Sequence, residues 1–450
     1  MLFAVLALRQ LWIQVIEGPA LADRPYNPRH AAVAVGRGAI LASDGTPLAV
    51  SRGSVRLYPQ GALVAQAVGY ASTRYGTSGL EDVFDRILTA RSETADPWTQ
   101  LLQMLSGSHA APRGDDVVTT LDLPIQRTLV AGLSRYSRAA GVVLDPRSGA
   151  VLALASIPAY DPNRLDARWS RLIADSASPL LDRAIDGLYP PGSTFKIVTA
   201  ADALEDGVVT LDSTFSDRGG LRIGNFTVRN DEEEVTGTQD LTGAFALSSN
   251  VDFAQIALRI GVERWFEAAA RWGLGASAEF DLPVARDHLP KSAEVSPSIL
   301  AQLGFGQASL LVTPMRMALI GATVAHDGVM PRPYLVRRLA GSETALATRP
   351  ETIEQPISSD TARELRGMMV AVVARGTGTA ARLPGVTVAG KTGTATNPHG
   401  RSHAWFVAFA PAEAPRVAVA VVVENVGYGG TYAAPVAREV LRVALARSRR

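Results

Sequence analysis

The sequence predicts an α+β protein in which a sheet carries helices against it, beside an all-helical lobe. Three observations carry that expectation. Apolar β-rich runs cluster near residues 141–155 and again at residues 386–423, while the chain between them is mostly helical. A last helical pattern covers Ala434 to Arg447. Ahead of all this lies a stretch of short strands and turns with no catalytic-looking residues, read as a non-catalytic module in front of the main domain.

The elements follow in order. Met1 to Ile16 is apolar apart from Arg9, Gln10 and Gln14. A bilayer-spanning helix needs about 20 apolar residues, so the stretch is short for a span. Three readings stand: an uncleaved membrane anchor whose start lies upstream, a cleaved signal peptide with Ala20-Leu21-Ala22 as its small-residue site, or an ordinary apolar helix. The first two place the rest of the chain outside the cytoplasm. From Pro25 to Arg113 the pattern is short strands and turns; Asp44-Gly45 between apolar runs predicts a hairpin or tight turn. Gly79 to Phe84 opens a short amphipathic helix. Ala111-Pro112-Arg113-Gly114 reads as a boundary. Val117 to Leu121 then reads as a strand, and Pro124 to Tyr136 as a helix by its apolar spacing. Gly141 to Asp145 and Ala150 to Ala155 form a strand pair around a turn at Pro146 to Gly149. Val251 to Gly273 reads as one helix. Val386 to Ala389, Ala404 to Ala410 and Val417 to Val423 read as strands. The organisation expected is an anchor at residues 1–17, a pedestal or dimerisation-like module at 18–115 and a catalytic domain at 116–450.

Composition narrows the function. The chain has 450 residues, 47% hydrophobic and 19% charged, enough apolar material for a large core, and its net charge of +1 gives no pull toward nucleic acid. Its one charge block, Asp231-Glu232-Glu233-Glu234, is expected to be a solvated loop with no ligand role. With 0 cysteines there are no disulfides, thiolate nucleophiles or Cys-bound metals. The six histidines, His30, His109, His288, His326, His399 and His403, show no metal-ligand spacing, so no metal or cofactor is expected, and His403 is expected to be structural. Of 44 basic residues only Lys196, Lys291 and Lys391 are lysine. A chain that writes Arg nearly everywhere keeps Lys where an amine must be able to lose its proton. Two of the three lie in catalytic-looking motifs.

The first motif is Ser193-Thr194-Phe195-Lys196, after Tyr189-Pro190-Pro191-Gly192. Pro-Pro-Gly blocks helix upstream, and Ser193 is expected to open a helical run through Ala203. Residues three apart share a helical face, so a neutral Lys196 is placed to take the hydroxyl proton that makes Ser193 nucleophilic. The second is Ser248-Ser249-Asn250, just before the helix that starts at Val251; these are also good capping residues. The third is Lys391-Thr392-Gly393-Thr394, expected to follow the strand Gly385 to Gly390. A Lys and two hydroxyls at a strand edge, with Gly leaving the backbone open, suit an added peptide strand and its terminal carboxylate. Each motif alone is commonplace; together, once each and in this order, they are the signature of β-lactamases and penicillin-binding proteins.

The chain resembles the class B penicillin-binding proteins, of the short actinobacterial type, over nearly its whole length. Arg37-Gly38-Ala39-Ile40 with Asp44 to Ala49 resembles their opening box, and Tyr70 to Leu88 the next. Tyr160-Asp161-Pro162-Asn163, Gly306-Gln307, Thr313-Pro314 and His403-Ala404-Trp405-Phe406 also match. Residue 43 is Ser where the family commonly has Arg, a departure in the pedestal. The resemblance implies the penicillin-recognising serine transpeptidase fold, a β-lactamase-like antiparallel sheet with flanking helices and an all-helical lobe. It also implies peptidoglycan D,D-transpeptidation: Ser193 attacks the D-Ala-D-Ala terminus of a stem peptide, with Lys196 as base and Ser248 as proton relay. Asn250 holds the peptide amide and orients Lys196, Lys391 supplies charge, Thr392 and Thr394 bind the carboxylate, and the N–H groups of Ser193 and Thr394 receive the oxyanion. β-Lactams act as inhibitors, and the implied partners are the membrane and a glycosyltransferase of the SEDS (shape, elongation, division and sporulation) family. Lys196 and Lys391 are expected to depress each other's pKa. A D,D-carboxypeptidase, a β-lactamase and a non-enzymatic scaffold are the alternatives. The β-lactamase needs fast deacylation and usually lacks a pedestal; the intact trio opposes the scaffold.

Overall fold

The computed structural model describes residues 36–89, 113–341, 347–397 and 400–447. Two five-stranded sheets organise it. In chain order their strands are β1 (Ile40–Leu41), β2 (Pro47–Arg52), β3 (Val55–Leu57), β4 (Asp116–Thr119), β5 (Ala139–Leu144), β6 (Val151–Ile157), β7 (Val336–Ala340), β8 (Ala389–Ala395), β9 (His403–Ala410) and β10 (Val417–Val423). The principal helices are α1 (Leu123–Leu133), α2 (Lys196–Glu205), α3 (Leu241–Leu247), α4 (Asn250–Ile260), α5 (Val262–Arg271), α6 (Pro297–Leu303), α7 (Pro314–Ala325), α8 (Ser359–Arg375) and α9 (Gly429–Arg447).

The larger sheet runs β8-β9-β10-β5-β6 and is antiparallel throughout. Its inner strands β9, β10 and β5 are largely apolar on both faces because both faces are covered. Along β9, Trp405, Val407 and Phe409 join one core cluster, with Met315, Leu319 and Ile320 of α7. The alternate residues Phe406 and Ala408 join the other, with Val436, Val440 and Leu441 of α9 and Leu129 of α1. That period of two is why a run such as Val417 to Val423 is hydrophobic at every position rather than at every second one. Among the described residues β8 is an edge strand, with a strand partner on one side of its backbone.

The smaller sheet runs β7-β4-β1-β2-β3. It crosses the boundary expected at residues 115/116, since β4 pairs with β1 and β7 pairs with β4. The hairpin expected at Asp44-Gly45 is present, Ile40 pairing with Ala49. Two matched boxes meet in a buried charge cluster. Arg37 Nε donates to Glu81 Oε2 at 2.7 Å and Arg56 Nε to Glu81 Oε1 at 2.6 Å, while Arg37 Nη1 reaches Asp85. Asn163 clamps the module to the rest of the chain through paired bonds with the Tyr58 backbone, both 2.9 Å.

Several boundaries differ from expectation. The helix expected over Val251 to Gly273 is two helices, broken at Gly261, whose φ of +81 suits a residue without Cβ. The segment Gly79 to Phe84 forms two one-turn helices with the residues after it, Leu80–Val83 and Asp85–Leu88. The terminal helix begins at Gly429, ahead of the expected Ala434. The expected anchor, the histidines His30, His109 and His399, and Ala111 and Pro112 of the expected boundary lie outside the described residues. Among the described residues no helix is long and apolar enough to cross a membrane.

Candidate active site

Three segments converge on one cleft of about 460 Å³. Ser193 sits in a 3-10 turn, Gly192–Phe195, that leads into α2 at Lys196, so the helical run has a tighter first turn than expected and ends at Glu205. Pro190 and Pro191 set the approach. The Pro190 carbonyl accepts from the Trp405 indole N–H at 3.1 Å, and the Gly192 N–H donates to the Gly306 carbonyl at 2.8 Å. Thus two of the matched motifs buttress the turn that carries Ser193.

Ser248 ends α3 in a left-handed conformation, φ +63 and ψ +35, unusual for a residue with a Cβ and of the kind found at functional sites. This turn carries the chain directly into α4, which Ser249 caps by accepting from the Asp252 N–H. Ser248 Oγ lies between both catalytic-looking lysines, accepting from Lys391 Nζ at 2.7 Å and from Lys196 Nζ at 3.3 Å. Lys196 Nζ also donates to the Ser248 carbonyl at 2.5 Å and to Asn250 Oδ1 at 2.8 Å.

The third motif lies inside β8 rather than after a strand, which corrects the expected boundary: the strand starts at Ala389, and Gly385 to Val388 precede it. Gly393 has a packing reason as well. A Cβ there would fall 2.9 Å from Thr194 Cγ2 and 3.0 Å from the Pro191 carbonyl oxygen, so glycine lets the nucleophile turn press against the edge strand. Ser193, Ser248, Thr392 and Thr394 line the cleft; Lys196 and Lys391 stand behind them, each 0% exposed.

Burial is the main influence on the lysines. It pushes the Lys196 amine down to about 7, partly offset by Asp231 and Asp252. It drives Lys391 well below the usual amine range, and the charge of Lys196 adds to that. The expected mutual depression is felt at Lys391, while desolvation is the larger cause in both.

Other residues enter the cleft without having been expected there. The Asp231–Glu234 run is exposed, as expected of a loop, and Asp231, Glu232 and Glu234 form a wall of the cleft. Desolvation within the cleft wall raises the Asp231 carboxyl, while Lys196 and Lys391 pull it down. Across the mouth, the Tyr428 hydroxyl donates to Glu232 Oε1 at 2.7 Å. Thr377 also lines the cleft, and its hydroxyl pairs with that of Thr392 at 2.5 Å. His403 does not line the cleft: its Nδ1 accepts from the Asn425 N–H at 3.3 Å and its ring meets Tyr189 edge-on. Among the described residues no group of His, Cys, Asp or Glu is placed to hold a metal ion.

Comparison with known proteins places this geometry. Residues 139–442 match the family model of the penicillin binding protein transpeptidase domain, and residues 37–117 match that of the penicillin binding protein A dimerisation domain. The peptidoglycan D,D-transpeptidase PbpA of Mycolicibacterium smegmatis is 35% identical over 418 residues, covering 87% of this chain and 84% of the relative. The crystal structure of PBPA from Mycobacterium tuberculosis superposes with a TM-score of 0.84 at 34% identity, over 91% of this chain and 99% of that one. A ceftriaxone acyl-enzyme complex of the same mycobacterial protein superposes with a TM-score of 0.84 at 33% identity, over 91% of this chain and 98% of that one.

Proposed function

The chain belongs to the penicillin-binding protein transpeptidases, and from that premise we propose that it crosslinks peptidoglycan through an acyl-enzyme on Ser193. It is a serine D,D-transpeptidase that β-lactams acylate. The observation that carries the assignment of roles is the chain of contacts Asn250–Lys196–Ser248–Lys391 directly behind the cleft that Ser193 lines.

The steps follow from that arrangement. The Ser193 hydroxyl oxygen attacks the carbonyl carbon between the two terminal D-alanines while its proton passes to the neutral Lys196 amine. The carbon–nitrogen bond breaks, and the departing D-Ala nitrogen takes a proton handed from Lys196 through Ser248. The Ser193 and Thr394 N–H groups receive the negative charge that develops on the carbonyl oxygen. Thr392 and Thr394 hold the terminal carboxylate, and Lys391 donates to Ser248 Oγ beneath them, keeping that hydroxyl in place. An amine of a second stem peptide then attacks the ester; its proton goes to Lys196 and the Ser193 oxygen leaves, reprotonated. A β-lactam enters by the first step and leaves slowly, which separates this reading from that of a β-lactamase.

Residues 116–450 act as the catalytic domain and 18–115 as a pedestal. The first 17 residues anchor the protein in the membrane with the catalytic domain outside the cytoplasm. A SEDS-family glycosyltransferase supplies the glycan strands whose stem peptides this chain crosslinks. The test is intact mass spectrometry with peptide mapping after penicillin treatment. One penicilloyl group on Ser193 is expected. No adduct, or one on another serine, sinks the assignment.

A further inference from the structure

Asn250 is held by two neighbours that no catalytic motif includes. Its side-chain Nδ2 donates to the Arg229 carbonyl at 3.2 Å. Its backbone N–H donates to Asn230 Oδ1 at 2.7 Å, and the same oxygen takes the Val251 N–H at 3.2 Å and the Ser249 hydroxyl at 3.4 Å. One side-chain carbonyl thus gathers the first donors of α4, which the helix itself cannot satisfy. The other end of Asn230 is fixed as well. Nδ2 donates to Asp217 Oδ2 at 2.7 Å and to the Glu234 carbonyl at 2.9 Å. Asp217 is itself immobilised by the N–H groups of Thr236 and Gly219, both at 2.8 Å.

We infer that Asn230 is a positioning residue for the transpeptidase reaction: it fixes the start of α4 so that Asn250 Oδ1 meets the Lys196 amine, and docks the acidic cleft wall on the same point. The inference rests on the reading of Ser193 and Lys196 above. The acceptor half of Asn230 carries the function, because it faces Asn250; the donor half, which faces Asp217 and Glu234, carries local stability. The two halves are separable by substitution.

Asn230→Ala removes both. Asn230→Asp keeps an oxygen for the Asn250 and Val251 N–H groups, at a helix N-terminus where negative charge is favoured. It also sets a carboxylate against Asp217, where like charges repel. The two variants therefore rank in opposite orders. Asn230→Asp melts at or below the temperature of Asn230→Ala, yet acylates faster. The expected loss of penicillin acylation rate in folded Asn230→Ala is about 10- to 100-fold, the range for a displaced reacting group, and in Asn230→Asp less than about 3-fold, since the acceptor is kept.

The experiment measures second-order acylation by a fluorescent penicillin in the full chain, with thermal melts of each variant. If Asn230→Asp does not fold, Asn230→Asp combined with Asp217→Asn removes the carboxylate pair and is compared with Asn230→Ala in its place. A wild-type rate in Asn230→Ala, or an acceptor-bearing variant no faster than Asn230→Ala, overturns the inference. Failure of wild-type protein to label at Ser193 overturns the underlying reading instead, so the two failures are told apart.

Discussion

Within the pedestal, the side chains of Arg37 and Glu81 are each 0% exposed and share a 2.7 Å contact, with Arg56 closing on the same carboxylate. Behind the cleft, Lys196 and Lys391 are equally buried, but the acceptors of their hydrogen bonds among the described residues are all neutral: Ser248, Asn250 and Thr392 oxygens. One region buries cations as arginine against carboxylates; the other buries them as lysine without a contacting carboxylate. Burial works against the charge of Arg37, but Glu81 and Asp85 outweigh it, and the guanidinium stays charged. Lys196 makes no carboxylate contact among the described residues, Asp231 and Asp252 only partly offset its burial, and its amine falls to about 7. The same desolvation thus serves fixed charge in one place and a movable proton in the other.

Exchanging the chemistry of the second region should do the most damage. In Lys196→Arg the guanidinium keeps its charge and cannot deprotonate. Acylation by penicillin should fall about 10² to 10⁴-fold, the usual worth of positioned proton transfer. A thermal melt establishes that the variant is folded, and a near-normal rate in folded protein refutes Lys196 as the base. Wild-type acylation should itself depend on pH with a fixed sign: the neutral amine is the active form, so the rate falls as pH drops through about 7 and levels off above it. A flat profile from pH 5 to 9 contradicts this. Lys391→Arg should cost less, roughly tenfold, because Lys391 acts as a hydrogen-bond donor to Ser248 Oγ and Arg can still donate. Glu81→Gln in the pedestal should leave the acylation rate of folded protein unchanged while lowering stability by about 3 kcal/mol, the cost of leaving a buried cation without its partner. Parallel loss of rate and stability there erases the contrast between the two regions.

The sequence exposes what is local. Val417 to Val423 is a strand at the expected residues because its composition and flanking turns are enough to define it. The three motifs are legible because each is contiguous, and two carry the chain's rare lysines. Contacts between distant segments leave no such mark. Asn230 reaches Asn250 only once the hairpin before it folds back on α4, and Thr377 reaches Thr392 only because α8 ends beside β8. The acidic run is visible as a charge block, but its contact with Tyr428, 196 residues away, is announced by no periodicity. The break at Gly261 was legible in principle: a glycine inside a helical pattern is a possible stop, yet apolar spacing on both sides masks it.

Only three lysines occur in the chain, which makes the central claim directly measurable. Labelling lysine with ¹³C at Cε gives three signals by NMR, assigned through Lys291→Arg and Lys391→Arg. Titration of the folded, unacylated protein should show the Lys196 signal changing with a midpoint near pH 7. A Lys196 signal that stays protonated up to pH 9 would contradict the account, whatever the adduct maps show.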